Sequence, residues 1–189
     1  MNTNWKKVWV RKGQENTADL CVLNGHENTN FCTSASQVVK KICAALKIDN
    51  SHSVLEVGCG AGMLAQYFNC NYAGVDYSSS LIQKHKDILG NNVCVAEAAN
   101  LPFEDNSYDC VFSFSVFHYF SDKEYVNKSI AEMKRVAKRA IFVGDLPTNS
   151  FTADHLLFSH REFEGWEISS AFYDRTDRAV RFNILKVLE

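Results

Sequence analysis

The chain lacks an excess of positive charge, a cysteine pair of the CxxC type and a long uninterrupted apolar run. Its 22 acidic residues outnumber its 20 Lys and Arg residues, which gives a formal net charge of -2. A protein that binds nucleic acid without reading its sequence needs a surplus of cations to neutralise phosphates, so we expect no nucleic-acid partner. No apolar stretch is long enough to span a bilayer, and residues 1–11 lack the apolar segment of a signal peptide. We therefore expect no membrane association and a cytoplasmic location.

The seven cysteines are scattered along the chain, several of them inside apolar strand or helix patterns. Because closely spaced pairs are the usual signature of a zinc site, their absence predicts that no metal is bound. Reduced thiols pack like small apolar side chains and are the normal state of cysteine in the cytoplasm. We therefore predict that all seven cysteines are free thiols.

A length of 189 residues with 46% hydrophobic residues suits one globular domain with a sizeable core. We find neither an internal repeat nor a low-complexity linker. The prediction is a single domain made of an N-terminal cap or lid (1–32), a cofactor-binding core (33–145) and a substrate-side connection with the final strands (146–189). In the first segment, Trp5 and Trp9 share one face of a predicted short helix. Both a monomer and a homodimer are compatible with these features.

Short apolar runs bounded by turn residues predict strands. They lie at about residues 54–57, 72–76, 93–95, 108–114, 140–145, 166–168 and 181–187. Between them, helical periodicity predicts one helix that begins at Thr33 or Ser34 and another that Ser78 caps. A capping box of Ser121 and Glu124 predicts a third. Because helices alternate with buried strands, we predict an α/β fold with a doubly wound, mostly parallel seven-stranded sheet, an antiparallel C-terminal strand and helices on both faces.

The stretch Val54–Gly62, with the sequence VLEVGCGAG, is the most informative about function. An apolar run breaks into three glycines at alternate positions and is followed by the helix-like residues Met63–Phe68, so we predict a strand, a tight turn and a helix. Glycine allows backbone conformations that a Cβ atom forbids, and it lets a ligand touch the main chain. The turn is therefore predicted to hold a cofactor.

Two cofactor types compete for this turn: a nicotinamide or flavin dinucleotide, and S-adenosylmethionine. The dinucleotide fingerprint is GxGxxG, but here the spacing is GxGxG and Met63 stands at the third small position. Glu56, two residues before Gly58, would repel a pyrophosphate and attract an ammonium or sulfonium group. Asp76, at the end of the second predicted strand, can accept ribose hydroxyls in either site, or it can act as a turn residue beside the Ser78 cap. The pattern favours a cationic adenosine compound.

With these residues the sequence resembles the class I S-adenosylmethionine-dependent methyltransferases, especially the small-molecule group with the first motif Glu-Val-Gly-Cys-Gly-x-Gly. The resemblance covers about residues 50–145, through Glu56–Gly62, Asp76-Tyr77, Glu97-Ala98 with Leu101-Pro102-Phe103, and Tyr108–Val111. It implies a Rossmann-like fold, S-adenosylmethionine as cofactor and S-adenosylhomocysteine as product. The implied cofactor-binding residues are Glu56, Gly58, Cys59, Gly60, Gly62, Asp76, Tyr77, Glu97, Ala98 and Ser113.

The resemblance also implies a role for each part of this set. The glycine turn would meet the methionine and ribose portions, and Asp76 would hold the ribose. Glu97 and Ala98 would meet the adenine amine and ring, although the family more often has Asp at the position of Glu97. Tyr77 is interpreted either as a residue that packs on the adenine or as a surface aromatic. Ser113 would lie near the transferred methyl group.

Methyl transfer is an in-line displacement that needs no nucleophilic protein residue, so the absence of a Ser/His/Asp triad does not argue against catalysis. His118, after the fourth predicted strand, is the best candidate base because an imidazole can be neutral near pH 7. Its alternative role is a hydrogen bond within its own loop. Tyr119 and Asp145 are weaker candidates for orientation or proton transfer. We interpret His85, on the inner side of its helix, as a packed residue rather than a ligand.

The sequence constrains the methyl acceptor only in part. No Asn-Pro-Pro-Tyr motif follows the fourth strand, so the usual signal for amino methylation of a nucleic-acid base is missing. We expect transfer to an O or N atom of a small metabolite or biosynthetic intermediate. One alternative is a catalytically silent methyltransferase-like binding protein with an exposed apolar surface around Trp5, Trp9 and Phe151 or Phe158. A second alternative is a dinucleotide-binding oxidoreductase.

Overall fold

The structure is a computed structural model that describes residues 3–28, 30–149, 154–174 and 180–188. Within these ranges lie five α-helices: α1 (Trp5–Gly13), α2 (Leu20–Leu23), α3 (Phe31–Leu46), α4 (Ser79–Leu89) and α5 (Lys123–Val136). The seven strands are β1 (Ser53–Val57), β2 (Asn71–Asp76), β3 (Asn92–Val95), β4 (Tyr108–Phe114), β5 (Ala137–Pro147), β6 (Glu167–Ser170) and β7 (Arg181–Val187). Short 3-10 turns cover Ala65–Tyr67, Phe117–Tyr119 and His160–Phe163.

All seven strands form one sheet in the order β3-β2-β1-β4-β5-β7-β6. Strands β1 to β5 pair in parallel, whereas β7 is antiparallel to both β5 and β6. The predicted doubly wound α/β fold is therefore confirmed, including the antiparallel C-terminal strand. The chain winds outwards from the neighbouring strands β1 and β4 in both directions. Sheets of this kind bind ligands in the crevice at the carboxyl ends of the strands where the order reverses.

Helices cover both faces of the sheet. Neighbouring residues of a strand point to opposite faces, and in β1 Val54 packs in the cluster that contains α3, while Leu55 packs in the cluster that contains α5. Ile42 of α3 and Met133 of α5 are fully buried. None of the helices in the described ranges is long and apolar enough to cross a bilayer.

The N-terminal helix α1 is docked on α4. Ser80 Oγ donates to the carbonyl oxygen of Val10 at 2.8 Å, and Ser78 Oγ donates to that of Trp9 at 3.4 Å. The two helices approach so closely at Gly13 that a Cβ atom there would lie 2.4 Å from Ser80 Oγ. Glycine at this position therefore permits the contact that holds α1 beside the carboxyl end of β2.

The helix predicted for Met63–Phe68 is wrong. The structure has only a 3-10 turn at Ala65–Tyr67, and the backbone is already extended at Phe68. The segment between the last glycine of the turn and the start of β2 at Asn71 is too short for several helical turns and the return to the sheet. The glycine turn consequently lacks the long helix that commonly follows such a turn.

Two helix starts also differ from the prediction. The third helix begins at Phe31, with Asn30 as the preceding cap residue, so it starts before Thr33. For α5 the cap is Asp122, whose carboxylate accepts the N–H of Tyr125 at 2.8 Å. The hydroxyl of Ser121 donates to Asp122 instead of capping the helix. A carboxylate is the stronger partner for the positive end of the helix dipole.

The expectation that all seven cysteines are free is wrong for two of them. Cys21 and Cys32 form a disulfide, with their Cα atoms 5.9 Å apart. Cys21 lies in α2 and Cys32 in α3, so their proximity depends on the placement of these two helices, which the 11-residue separation does not show. The other five cysteines are free thiols.

Candidate cofactor site

A cavity of about 390 Å³ lies beside the glycine turn at the carboxyl ends of β1, β2 and β4. Seven of the predicted cofactor residues line it, namely Glu56, Gly58, Cys59, Gly60, Asp76, Tyr77 and Ala98. The other three predicted residues, Gly62, Glu97 and Ser113, do not line the cavity, although all three belong to the described part of the chain. Of the catalytic candidates, Tyr119 lines the cavity, whereas His118 and Asp145 do not.

The glycines of the turn adopt left-handed backbone conformations, with φ values of +82° at Gly58 and +50° at Gly60. A Cβ atom at Gly58 would lie 2.6 Å from a methyl group of Val116, and one at Gly60 would lie 2.3 Å from Asn24 Oδ1. Both the conformation and the close neighbours require glycine here. The main chain of the turn therefore forms part of the cavity wall.

Asp76 connects the end of β2 to the glycine turn. Its Oδ2 accepts the N–H of Gly60 at 3.0 Å, and its Oδ1 accepts the N–H of Ser78 at 2.8 Å. Burial raises the pKa of Asp76 to about 6, although these two N–H groups oppose the rise. Each carboxylate oxygen keeps a second lone pair for a ligand hydroxyl. The side chain thus has the contacts of a turn residue and also faces the cavity.

Glu56 is a buried carboxyl group, with 3% of its surface exposed. The hydroxyl of Tyr72 donates to Glu56 Oε2. Burial, together with the nearby charge of Asp76, raises the pKa of Glu56 to about 8 despite the bond from Tyr72. At neutral pH the group therefore retains its proton until a cation comes close enough to stabilise the carboxylate.

Glu97 connects three segments at the rim of the cavity. Its Oε1 forms an ion pair with Lys6 of α1, and its Oε2 accepts the hydroxyl of Tyr125 of α5 at 2.6 Å. Burial acts to raise the pKa of Glu97, but the bonds from Lys6 and Tyr125 outweigh it and lower the pKa. The ammonium of Lys6 also lies 5.4 Å from the ring centre of Tyr77. Both carboxylate oxygens of Glu97 are therefore engaged by side chains of α1 and α5.

Gly62 and Ser113 lie behind the wall. The hydroxyl of Ser113 donates to the carbonyl oxygen of Val57 at 2.8 Å, which ties β4 to the end of β1. Gly62, with φ +95°, packs so closely on α4 that a Cβ atom would lie 2.5 Å from Leu89 Cδ1. Both residues shape the wall from outside.

The three catalytic candidates have different surroundings. Tyr119 lines the cavity next to α1, with its ring centre 5.1 Å from that of Trp9. His118 is 2% exposed, and its ring centre is 4.0 Å from that of Tyr119. Asp145, 1% exposed, forms a buried ion pair with Arg181 at 3.3 Å. The structure therefore places Tyr119 at the cavity, His118 behind it, and Asp145 in a separate buried contact.

Four cavity residues were missed in the sequence because they come from the first 32 positions, which have weak periodicity. They are Lys6, Asn24, His26 and Phe31, which line the cavity together with Trp9 of the predicted cap or lid. Asn24 Oδ1 accepts the N–H of Ala61 in the glycine turn at 3.3 Å. The only local signal was the turn-like pair Asn24-Gly25, which does not indicate a contact with a turn far along the chain.

The chain is similar in sequence to known methyltransferases. Residues 55–142 match the family model described as "Methyltransferase domain". The chain is 38% identical over 105 residues to a tRNA (carboxymethyluridine(34)-5-O)-methyltransferase of Arabidopsis thaliana, a match that covers 54% of this chain and 26% of that protein. It is 37% identical over 87 residues to the probable tRNA methyltransferase 9B of Mus musculus, covering 44% and 19%. The chain thus spans about a quarter or less of the length of these relatives.

Solved structures share the fold. The magnesium protoporphyrin IX methyltransferase of Synechocystis with bound S-adenosylmethionine superposes with a TM-score of 0.62 at 17% identity, over 100% of this chain and 93% of that one. A likeness at this identity concerns the fold. The match to the family model, in contrast, is a similarity in sequence, and it includes the glycine turn and the strands beside the cavity. Residues 55–142 thus match a methyltransferase domain in sequence, and the chain shares its fold with solved S-adenosylmethionine-dependent methyltransferases.

Proposed function

We propose that the protein transfers the methyl group of S-adenosylmethionine to an O or N atom of a small metabolite or biosynthetic intermediate. The observation that carries the proposal is the presence of two buried carboxyl groups, Glu56 and Asp76, on the wall of one cavity beside the glycine turn. S-Adenosylmethionine has cationic groups in its methionine portion, which suit Glu56, and ribose hydroxyls, which suit Asp76. When bound, it supplies a methyl group on a sulfonium centre, and the neutral thioether S-adenosylhomocysteine is the leaving group.

The cavity wall supports an assignment of residues to the parts of the cofactor. Glu56 would pair with the cationic methionine portion, beside the main chain of Gly58–Gly60. Asp76 would accept the ribose hydroxyls, and Tyr77 and Ala98 would meet the adenine. We propose that Gly62 and Ser113 act from behind the wall. Glu97 keeps its predicted role at the adenine amine only if it exchanges its bond with Lys6 for one with the base.

Aromatic rings also line the cavity, and we propose that they surround the methyl acceptor. They belong to Trp9, Phe31, Phe114 and Tyr119. Rings of this kind suit an acceptor with an apolar or planar body, and they exclude water from the reacting atoms. Tyr119 is the catalytic candidate that would touch the acceptor.

His118→Ala and His118→Phe together test whether His118 is a base. Because its ring lies behind Tyr119, we propose that His118 positions Tyr119 by packing. His118→Phe keeps a ring of similar shape, so this variant is expected to retain most of kcat, and His118→Ala is expected to lose more. Steady-state kinetics on the identified acceptor measures both. If His118 is the base, both variants lose about 100-fold or more in kcat.

Asn24→Ala is expected to weaken S-adenosylmethionine binding about two- to tenfold. The change removes one neutral hydrogen bond to the glycine turn, and such a bond contributes about 0.5–1.5 kcal/mol. Titration calorimetry gives the Kd, and the exposed Asn28→Ala in the same segment is the matched control. Equal affinity in the two variants would show that Asn24 does not support the turn.

A tRNA acceptor is the second candidate, because both sequence relatives reported above carry tRNA methyltransferase names. The net charge of -2 favours a small acceptor instead. Methyl transfer from labelled S-adenosylmethionine to total tRNA and to a small-metabolite extract, followed by mass spectrometry of the product, separates the two. Label only in tRNA would overturn the small-metabolite proposal.

The cofactor itself is tested by titration with S-adenosylmethionine and S-adenosylhomocysteine. Binding of both in the micromolar range is expected, and binding of neither would reject the proposed function. NAD and flavin nucleotides serve as competitors, since preferential binding of either would favour the oxidoreductase alternative. Monomer or homodimer and a cytoplasmic location remain predictions that sedimentation and cell fractionation test.

The silent-binder alternative receives little support from the described surface. It needs an exposed apolar patch, yet Trp5 and Trp9 are half-buried and Phe158 is 3% exposed. Phe151, the other residue of this hypothesis, lies outside the described residues. The rings of Trp5 and Trp9 both pack on Tyr119 instead. Turnover with any acceptor would exclude this alternative.

A further inference from the structure

We infer that His85 is a positioning residue of the methyl-donor site, which fixes the glycine turn by holding the carbonyl group of Gly60. This inference rests on the proposed binding of S-adenosylmethionine at that turn. His85 lies in α4, is fully buried and does not line the cavity. Its Nδ1 atom lies 3.2 Å from the carbonyl oxygen of Gly60. Any effect of His85 on the cofactor therefore passes through the main chain of the turn.

Gly60 is held at both of its polar main-chain groups. Its N–H donates to Asp76 at the end of β2, and its carbonyl faces His85 of α4. These two contacts fix the plane of the peptide groups on either side of a residue with φ +50°. Glycine has more conformational freedom to lose than any other residue, so outside contacts of this kind have a large effect on its order.

The chemistry of the contacts determines the tautomer of His85. A carbonyl oxygen only accepts, so Nδ1 must carry the proton. Burial lowers the pKa of His85, although the bonds to Asn91 and Gly60 oppose the change, and a neutral imidazole has a single N–H. Nε2 lies 3.1 Å from Asn91 Oδ1. The O and N ends of an amide have the same shape, so with the proton on Nδ1 we infer that the Asn91 amide is turned and its NH2 group donates to Nε2.

The absence of a long helix after the turn explains why such a support is needed. A helix that starts directly at the last glycine would fix the turn through its own hydrogen bonds. Here only the 3-10 turn at Ala65–Tyr67 follows. The neighbouring helix α4 contacts the turn instead, through the Gly60 bond and through Gly62, where a Cβ atom would lie 2.8 Å from His85 Nε2.

Two substitutions separate the hydrogen bond from simple packing. His85→Leu fills the space without a donor, whereas the amide of His85→Asn can place an N–H close to the position of Nδ1. His85→Leu is expected to raise the Kd for S-adenosylhomocysteine about five- to tenfold, in keeping with the loss of one buried hydrogen bond. His85→Asn is expected to stay within about threefold of the wild type. Gln83→Leu, at an exposed position of the same helix, is the matched control and is expected to bind like the wild type.

Titration calorimetry measures these values, and the thermal midpoint of each variant checks that it is folded. Equal affinity in folded His85→Leu and wild type would overturn the inference, as would a loss of affinity in His85→Asn as large as in His85→Leu. The wild type offers an independent measurement, since ¹⁵N shifts of the imidazole report the tautomer. A proton on Nδ1 at neutral pH is expected, and a proton on Nε2 would overturn the inference. A wild type that binds no cofactor would instead reject the proposed function.

Discussion

Asp76→Ala is expected to weaken the binding of S-adenosylmethionine at least about 100-fold. A carboxylate that accepts two ribose hydroxyls makes charge-assisted bonds of about 1.5–3 kcal/mol each. The same substitution removes the acceptor for the N–H groups of Gly60 and Ser78, at 3.0 and 2.8 Å. The cofactor thus loses its ribose partner, and the turn loses one of its two supports at Gly60.

Asp76→Asn distinguishes these two effects. The amide oxygen can still accept the Gly60 N–H, but it carries no charge, so this variant is expected to bind more tightly than Asp76→Ala and more weakly than the wild type. Titration calorimetry with S-adenosylmethionine measures all three, and the exposed Asp87→Ala of α4 is the control. A Kd for Asp76→Ala within about threefold of the wild type would contradict both the ribose assignment and the role in the turn.

Glu56→Gln is expected to stabilise the free protein at pH 8 and to weaken cofactor binding at the same pH. The pKa of Glu56 is about 8 in the folded chain, against an ordinary value of 4.5. Between these values the folded state holds a proton that the unfolded state has released, so the free energy of unfolding of the wild type falls as pH rises. Glutamine does not titrate. The difference in thermal midpoint between variant and wild type is therefore expected to grow from pH 5 to pH 8.

Cofactor binding is expected to depend on pH in the opposite sense to the stability of the free protein. A cation of the cofactor favours the carboxylate form of Glu56, so binding near neutral pH is expected to release up to about one proton. Calorimetry at pH 7 in two buffers with different ionisation enthalpies measures this release. Glu56→Gln is expected to lose the release and at least about tenfold in affinity, while the exposed Glu167→Gln in β6 leaves both unchanged. Proton uptake, or equal release in the variant, would show that Glu56 does not meet the cationic end.

The position of Glu97 shows why a motif does not determine the contacts of its residues. The sequence places an acid after β3, and the resemblance assigns it to the adenine. In the structure Lys6, 91 residues away in the chain, occupies Oε1. Nothing in the local pattern around Glu97 indicates that α1 lies over this rim, because the contact depends on where α1 docks.

The same reason explains the other differences. The disulfide of Cys21 and Cys32, the contact of Asn24 with Ala61, and the burial of Asp145 against Arg181 all join segments through the fold. The helix predicted after the glycine turn failed for a local reason, since the connection to β2 is short. His85 was interpreted as a packed residue, and its bond to Gly60 followed only from the placement of α4.

The sequence by itself determined the alternation of strands and helices, the glycine turn and the acid at the end of β2. Apolar periodicity and glycine spacing act over neighbouring residues, so a linear pattern records them. Only the tertiary structure decided which side chains line the cavity, where α1 docks beside it, and that α4 supports the turn. Those features depend on packing between segments that are far apart in the chain, and the local pattern of one segment does not indicate which other segment it will contact.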